Sequence, residues 1–176
     1  MGDFWVFGYG SLIWRPGFAH VETRRARLHG FRRSLCVYSH VHRGTRERPG
    51  LVLGLDRGGS CIGLAFRVPD ELRGEVLAYL RARELVTSVY LERLLPVRLD
   101  DGRRVAAVSY IVDRGHHQYA GAQTPTAAAA LVVGAVGQSG RNEEYLANTL
   151  THLSALHIRD RWLEEVGGLV DAQLAR

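Results

Sequence analysis

The chain has 176 residues, 46% of them apolar and 23% charged, which suits one soluble domain able to bury roughly 70% of its unfolded surface. No apolar run approaches the ~20 residues that span a bilayer, and Met1-Gly2-Asp3 shows neither the basic stretch nor the cleavage site of a secretory leader, so a cytoplasmic protein without membrane association is expected. The net charge of +5 rests on 23 basic against 18 acidic residues, and every basic residue is arginine. These arginines are scattered and no basic-aromatic recognition motif accompanies them, which favours a small anionic molecule over nucleic acid as partner.

The apolar, aromatic run Phe4-Trp5-Val6-Phe7 predicts a buried strand. It breaks at Gly8-Tyr9-Gly10-Ser11, where two glycines bracket a tyrosine. Such a turn can present free backbone N–H groups to a ligand with no Cβ in the way; a plain tight turn is the alternative. It is not a phosphate loop, since it has neither a Walker lysine nor G-x-G-x-x-G. Residues 25–39 read as a strand bent at Gly30, and 42–50 as a polar turn region. Residues 51–55 and 61–68 read as two strands of a hairpin closed by Asp56-Arg57-Gly58-Gly59. Pro69-Asp70-Glu71 opens a helix expected to reach about Val86, with Leu72, Val76, Leu77 and Leu80 on its buried face. Residues 91–99 and 105–112 are strands joined by the turn Asp100-Asp101-Gly102-Arg103. After a loop carrying His116-His117, Thr124-Pro125 starts a helix to about Val136. A glycine-rich loop over 137–141 leads to helices over 142–157 and from Asp160 onward, the first with Asn142 as its expected cap.

Strands first and helices last mean α+β, not a parallel βαβ sheet. Short strands in hairpin succession predict a small, closed or nearly closed β-barrel with flanking helices. No repeat or linker appears, so residues 1–176 are expected to form a single domain.

Glu84 is the most informative position. It shares a helix face with Leu77 and Leu80, which puts a carboxylate on an apolar stripe. Desolvation there would raise its pKa and suit it to general acid–base work near neutral pH. A structural ion pair with Arg83 or Arg33 accounts equally well for the pattern. Cys36 and Cys61 lack CxxC spacing and are expected to be reduced and buried. His40 and His42 alternate on a predicted strand, yet with His116 and His117 they show no recognisable metal-ligand spacing. Ser11 lacks the G-x-S-x-G elbow of a nucleophile.

The continuation Tyr9-Gly10-Ser11-Leu12-Ile13-Trp14 resembles the signature of the γ-glutamylcyclotransferases, in particular the ChaC-like, glutathione-degrading branch. The pair Arg83-Glu84 resembles that family's catalytic Arg-Glu. Gly30 to Arg33, His42-Arg43-Gly44-Thr45, Arg48-Pro49-Gly50, Tyr119-x-Gly121 and Gly137-Gln-Ser-Gly-Arg-Asn-Glu-Glu-Tyr145-Leu146 resemble further motifs in the same order. The chain departs from several members where Ser88-Val89-Tyr90 replaces a flexible Gly-Gly-Tyr. The resemblance implies an enzyme that cyclises the γ-glutamyl group of glutathione to 5-oxoproline and releases Cys-Gly, with Glu84 as the general acid/base. It also implies that Gly10, Ser11 and Leu12 bind the substrate through backbone N–H groups and that Tyr9, Tyr119 and Tyr145 help to orient it. No cofactor or metal is implied. The alternatives are a cyclotransferase for another γ-glutamyl amine or dipeptide, and a non-catalytic binding protein.

Overall fold

The computed structural model describes residues 2–176. Strand β1 (Phe4–Gly8) is buried along its whole length, which is why its sequence is continuously apolar rather than alternating. It is followed by the single turn of helix α1 (Ser11–Trp14). The long strand β2 (Glu22–Ser39) carries Gly30 at φ +92°, the bend expected there. Strands β4 (Tyr90–Leu99) and β5 (Arg104–Val112) form the expected hairpin, in register from Tyr90 opposite Val112 to Arg98 opposite Arg104.

The hairpin expected over residues 51–68 does not form. One strand, β3 (Gly50–Val68), runs straight through the presumed turn. Gly58 and Gly59 take φ +104° and +68°, so the kink is absorbed within the strand. Arg32 on β2 fixes that segment by donating to the Arg57 carbonyl and, at 3.2 Å, to the Asp56 carboxylate. The five strands close into a barrel in the order β1-β3-β2-β4-β5, with β5 returning to β1 in parallel at Trp5–Ala107 and Val6–Val108.

The chain divides into two compact units, and two of the three division points fall inside the long strands β2 and β3. The first unit comprises the residues through Arg33 together with Leu55–Asp113. Here a short 3₁₀ turn (Asp70–Leu72) leads into helix α2 (Arg73–Glu84), which stops at Glu84 rather than Val86 when the Leu85 N–H bonds the Arg81 carbonyl. Val76 and Leu80 of α2 are buried with Phe4, Val6, Leu12, Val68, Val108 and Tyr110, and Leu72 and Leu77 pack against that cluster. Each such aliphatic side chain stabilises the unit by ~1.5–3 kcal/mol relative to exposure.

The second unit comprises Ser34–Gly54 and Arg114–Arg176. It holds helix α3 (Pro125–Val132), a two-stranded ribbon of β6 (Val136–Gly137) and β7 (Gly140–Arg141), and helices α4 (Asn142–Ala155) and α5 (Arg161–Leu174). Thr124 and Asp160 cap α3 and α5 as their positions in the sequence predict, each accepting a first-turn N–H. Helix α5 buries Leu163, Val166, Gly167 and Val170, a stripe at helical spacing, and packs on α3 and α4.

Four expectations fail in this unit. Helix α3 ends at Val132 because Val133 is extended, and the presumed loop over 137–141 is the ribbon. His40 and His42 lie beyond the end of β2 in a bend where Ser39 Oγ accepts the Arg43 N–H at 2.9 Å, so they do not alternate on a strand. Asn142 does not cap α4. Its buried amide instead accepts the Leu51 N–H at 2.8 Å and donates to the Leu51 carbonyl at 2.9 Å, taking the place of a neighbouring strand at the start of β3. Cys36 and Cys61 are buried and unbridged. Among the described residues no helix is long and apolar enough to cross a membrane.

Candidate active site

The end of β1 can approach β3 closely because residue 63 is glycine: a Cβ there would lie 2.2 Å from the Gly8 carbonyl oxygen and 2.9 Å from the Phe7 ring. The next carbonyl, that of Tyr9, accepts from Arg33 Nε at 2.6 Å, and the same buried guanidinium donates to the Ile62 carbonyl at 2.7 Å. The turn is therefore anchored through its oxygen atoms. The Gly10 carbonyl is also taken, by the Ile13 N–H at 2.9 Å. The amides of Ser11 and Leu12 open α1 and have no acceptor within that helix. The Leu12 side chain belongs to the core cluster and the Tyr9 side chain is buried, so what this stretch offers a ligand is backbone N–H from Gly10, Ser11 and Leu12.

Helix α2 brings Arg83 and Glu84 to this turn. Arg83 Nη2 donates to Ser11 Oγ at 2.8 Å. Its Nη1 donates to the Arg15 carbonyl at 2.6 Å, to the Pro16 carbonyl at 3.3 Å and to Tyr79 Oη at 3.0 Å. The Nε of the same guanidinium is 3.7 Å from Glu84 Oε1. One planar group thus touches both the loop of free amides and the candidate carboxylate.

Glu84 is 18% exposed, and among the described residues it makes this one ion contact and no hydrogen bond. Burial pushes its pKa above the ordinary carboxylate value, with the Arg83 charge pulling the other way. Its place in the last turn of α2, where the backbone carbonyls concentrate negative charge, also disfavours the ionised form.

A second carboxylate in this unit behaves oppositely. Glu92 on β4 receives both Arg81 Nε at 3.0 Å and Nη2 at 2.9 Å, and its pKa is held down chiefly by that fork. Tyr110, facing Glu92 in the β4–β5 register, donates its hydroxyl at 3.0 Å, and burial followed by that bond pushes the phenol pKa up. The two carboxylates thus sit in opposite environments: the Arg81 fork favours the charged form of Glu92, whereas burial favours the neutral form of Glu84. Sequence reading missed the Arg81–Glu92–Tyr110 group, which only strand register reveals. It also paired Arg83 with Glu84 but missed the reach of Arg83 to Ser11; the Tyr79–Arg83 spacing of four on a helix was the available signal.

Of the expected site residues, Tyr9, Gly10, Ser11, Leu12 and Glu84 belong to the first unit and Tyr119 and Tyr145 to the second. Tyr119 bridges Val37, and the Arg114 guanidinium lies 5.6 Å from its ring centroid. The Tyr145 hydroxyl accepts the Leu53 N–H at 2.9 Å, and Arg43 lies over its ring at 5.5 Å.

Known proteins resemble this chain in sequence and in fold. The glutathione-specific gamma-glutamylcyclotransferase of Escherichia coli K12 is 36% identical over 165 residues, which is 94% of this chain and 71% of that protein. Glutathione-specific gamma-glutamylcyclotransferase 1 of Mus musculus is 34% identical over 146 residues, and this chain spans 66% of its length. The crystal structure of the yeast gamma-glutamyl cyclotransferase specific to glutathione superposes with a TM-score of 0.83 at 26% identity, covering 97% of this chain and 99% of that one. Since the family model described as ChaC-like protein also matches residues 4–173, the chain belongs to the ChaC-like protein family.

Proposed function

We propose that this chain is a glutathione-specific gamma-glutamylcyclotransferase and that residues 1–176 act as one such domain. The names of the E. coli, mouse and yeast relatives support the substrate. The observation that carries the mechanism is Glu84: its side chain mostly buried and without a hydrogen bond, raised in pKa, and joined through Arg83 to the Ser11 hydroxyl after β1. In the reaction the α-amine of the γ-glutamyl group attacks its own γ-carbonyl. A C–N bond closes the 5-oxoproline ring and the amide bond to cysteine breaks, releasing Cys-Gly. Glu84 takes a proton from the α-ammonium and returns it to the departing nitrogen. The amides of Gly10, Ser11 and Leu12 bind the α-carboxylate and the oxyanion, and hold a flexible chain in its curled, reactive form. All groups required are on this chain, and a cytoplasmic enzyme acting on a cytoplasmic thiol is the setting that fits.

The test is a product assay for 5-oxoproline on wild type and Glu84→Gln, with glutathione, γ-glutamyl dipeptides, γ-glutamyl amines and N-acetyl-glutathione side by side. Glutathione is expected to turn over, the N-acetyl form to be inert because its nucleophile is blocked, and kcat of Glu84→Gln to fall by ~10²–10⁴-fold. No 5-oxoproline from any substrate, or an active Glu84→Gln, would overturn the proposal.

A further inference from the structure

On the outer wall of the barrel, register places Arg27 of β2 opposite Arg98 of β4, and Arg98 opposite Arg104 of β5. Three guanidiniums therefore stand in a row across three adjacent strands. Their chain neighbours Ala26, Leu28, Val97 and Leu99 are buried, so the arginines alternate outward. Like charges in facing positions oppose strand pairing. Elsewhere in this unit that cost is relieved: Arg24 and Arg103 pair with Asp101, Arg67 with Glu22, and Arg81 with Glu92. Among the described residues, Arg27, Arg98 and Arg104 have no carboxylate partner, so three positive charges sit side by side uncompensated.

The surface around the row is concave. A cleft of about 420 Å³ is lined by Arg25, Arg27, His29, Ile62 and Arg98 among others, and an adjoining one of about 250 Å³ by Arg27, His29, Pro96, Arg98 and Arg104. The one carboxylate lining either cleft, Asp100, lies 3.9 Å from Arg24 Nη1. The Arg104 end of the row is distant from the end of β1, whereas the larger cleft reaches Ile62, whose carbonyl shares the Arg33 guanidinium with that of Tyr9. Because Trp5 lies beside Ala107 in the parallel β1–β5 pair, Gly8 is level with Tyr110, and Arg104 lies about 20 Å further toward the opposite rim.

From these observations we infer that this face is a binding site for an oligophosphate group, free or carried by a nucleotide. With strands ~4.8 Å apart, the three arginines span about 10 Å, the scale of a chain of two or three phosphates. Each phosphate takes a guanidinium fork in bidentate fashion. A lone phosphate would engage only part of the row, and the larger cleft has the size of a small-molecule site rather than of an extended nucleic-acid track.

The test is titration calorimetry of the full chain near physiological salt, with tripolyphosphate, ATP, orthophosphate and a short DNA duplex as probes. Tripolyphosphate, ATP or both should bind one per chain, at least ~10-fold more tightly than orthophosphate. Binding of tripolyphosphate alone assigns the site to the free anion, and of ATP alone to a nucleotide. Arg98→Gln, in the middle of the row, should weaken binding by ~10-fold or more while melting no lower than wild type, because a like-charge contact is removed. Arg159→Gln, remote in sequence and paired with Glu164, should bind as wild type. Equal binding of orthophosphate, an unaltered Arg98→Gln, or tighter binding of the duplex with several chains per molecule would each overturn the inference.

Discussion

Replacing Arg83 with methionine separates two tasks that one guanidinium performs. Methionine keeps the aliphatic bulk and loses hydrogen bonds to Arg15, Ser11 and Tyr79 of 2.6, 2.8 and 3.0 Å, with a longer one to Pro16. The Arg83 side chain is 21% exposed, so each of the three shorter bonds is taken at ~1 kcal/mol, and the variant should lose ~3 kcal/mol. For a chain of this length that lowers Tm by roughly 6–12 °C. The loop amides are then no longer fixed against α2, and misplacement by an ångström is enough to reduce kcat/KM by ~10²-fold. The second task is electrostatic. Arg83 holds the Glu84 pKa down against burial, so its loss lets that pKa climb further. A general base works when deprotonated, so the acidic limb of the kcat/KM profile should move to higher pH in Arg83→Met. Arg83→Lys restores the charge but not the fork: its acidic limb should return toward that of wild type while the loss in kcat/KM largely remains. Thermal melting and pH–rate profiles of the two variants are the measurements. An Arg83→Met enzyme that melts lower but keeps the wild-type acidic limb and a kcat/KM within a few-fold of wild type would refute this account.

Three further outcomes follow from the same geometry. Because the folded-state pKa of Glu84 is raised, wild type loses stability as pH rises from about 4.5 through that value; Glu84→Gln lacks this loss, so urea melts should show the variant gaining on wild type as pH increases, and a shrinking gap would contradict the burial argument. Asn142→Ala leaves the buried N–H and C=O of Leu51 unpaired, which should cost ~2–5 kcal/mol and lower Tm by about 4–20 °C, whereas a change within 2 °C would show that these groups find other partners. Ser88 sits at φ +61°, where a side chain costs ~1–2 kcal/mol and glycine costs none; after the entropy that glycine adds to the unfolded chain, Ser88→Gly should be more stable by ~0.5 kcal/mol in denaturant melts, and a clear destabilisation would refute the reading.

Local chemistry was legible in the sequence wherever a few adjacent residues decide the outcome. Asp100-Asp101-Gly102 specified the β4–β5 turn, Thr124-Pro125 and Asp160 specified helix starts, and the aromatic run at Phe4 specified a strand buried on both faces. Glu84 stood out because a charge on an apolar helix stripe needs a reason. The failures were decided by distant partners. Asp56-Arg57-Gly58-Gly59 has the composition of a turn, and only Arg32, 24 residues earlier in the chain, holds it within a strand. Asn142 has the composition of a cap and the position for one, but Leu51, 91 residues away, claims its amide. The Arg27–Arg98–Arg104 row consists of three separate, ordinary surface residues until register aligns them.

The parallel seam between β1 and β5 also constrains the order in which the molecule is made. One edge of β1 can pair as soon as Val68 has left the ribosome, but the other edge waits for Ala107 and Val108. At a synthesis rate of 5–20 residues per second, a hydrophobic strand whose five residues all end up buried spends several seconds with an open edge. Nothing in the first hundred residues can close the barrel, and the amides of Gly10, Ser11 and Leu12 directly follow the strand left waiting. A nascent chain thus completes the strand that precedes this turn only when the seam forms, and any pause in translation between Val68 and Val108 lengthens the interval in which that edge is open to other chains.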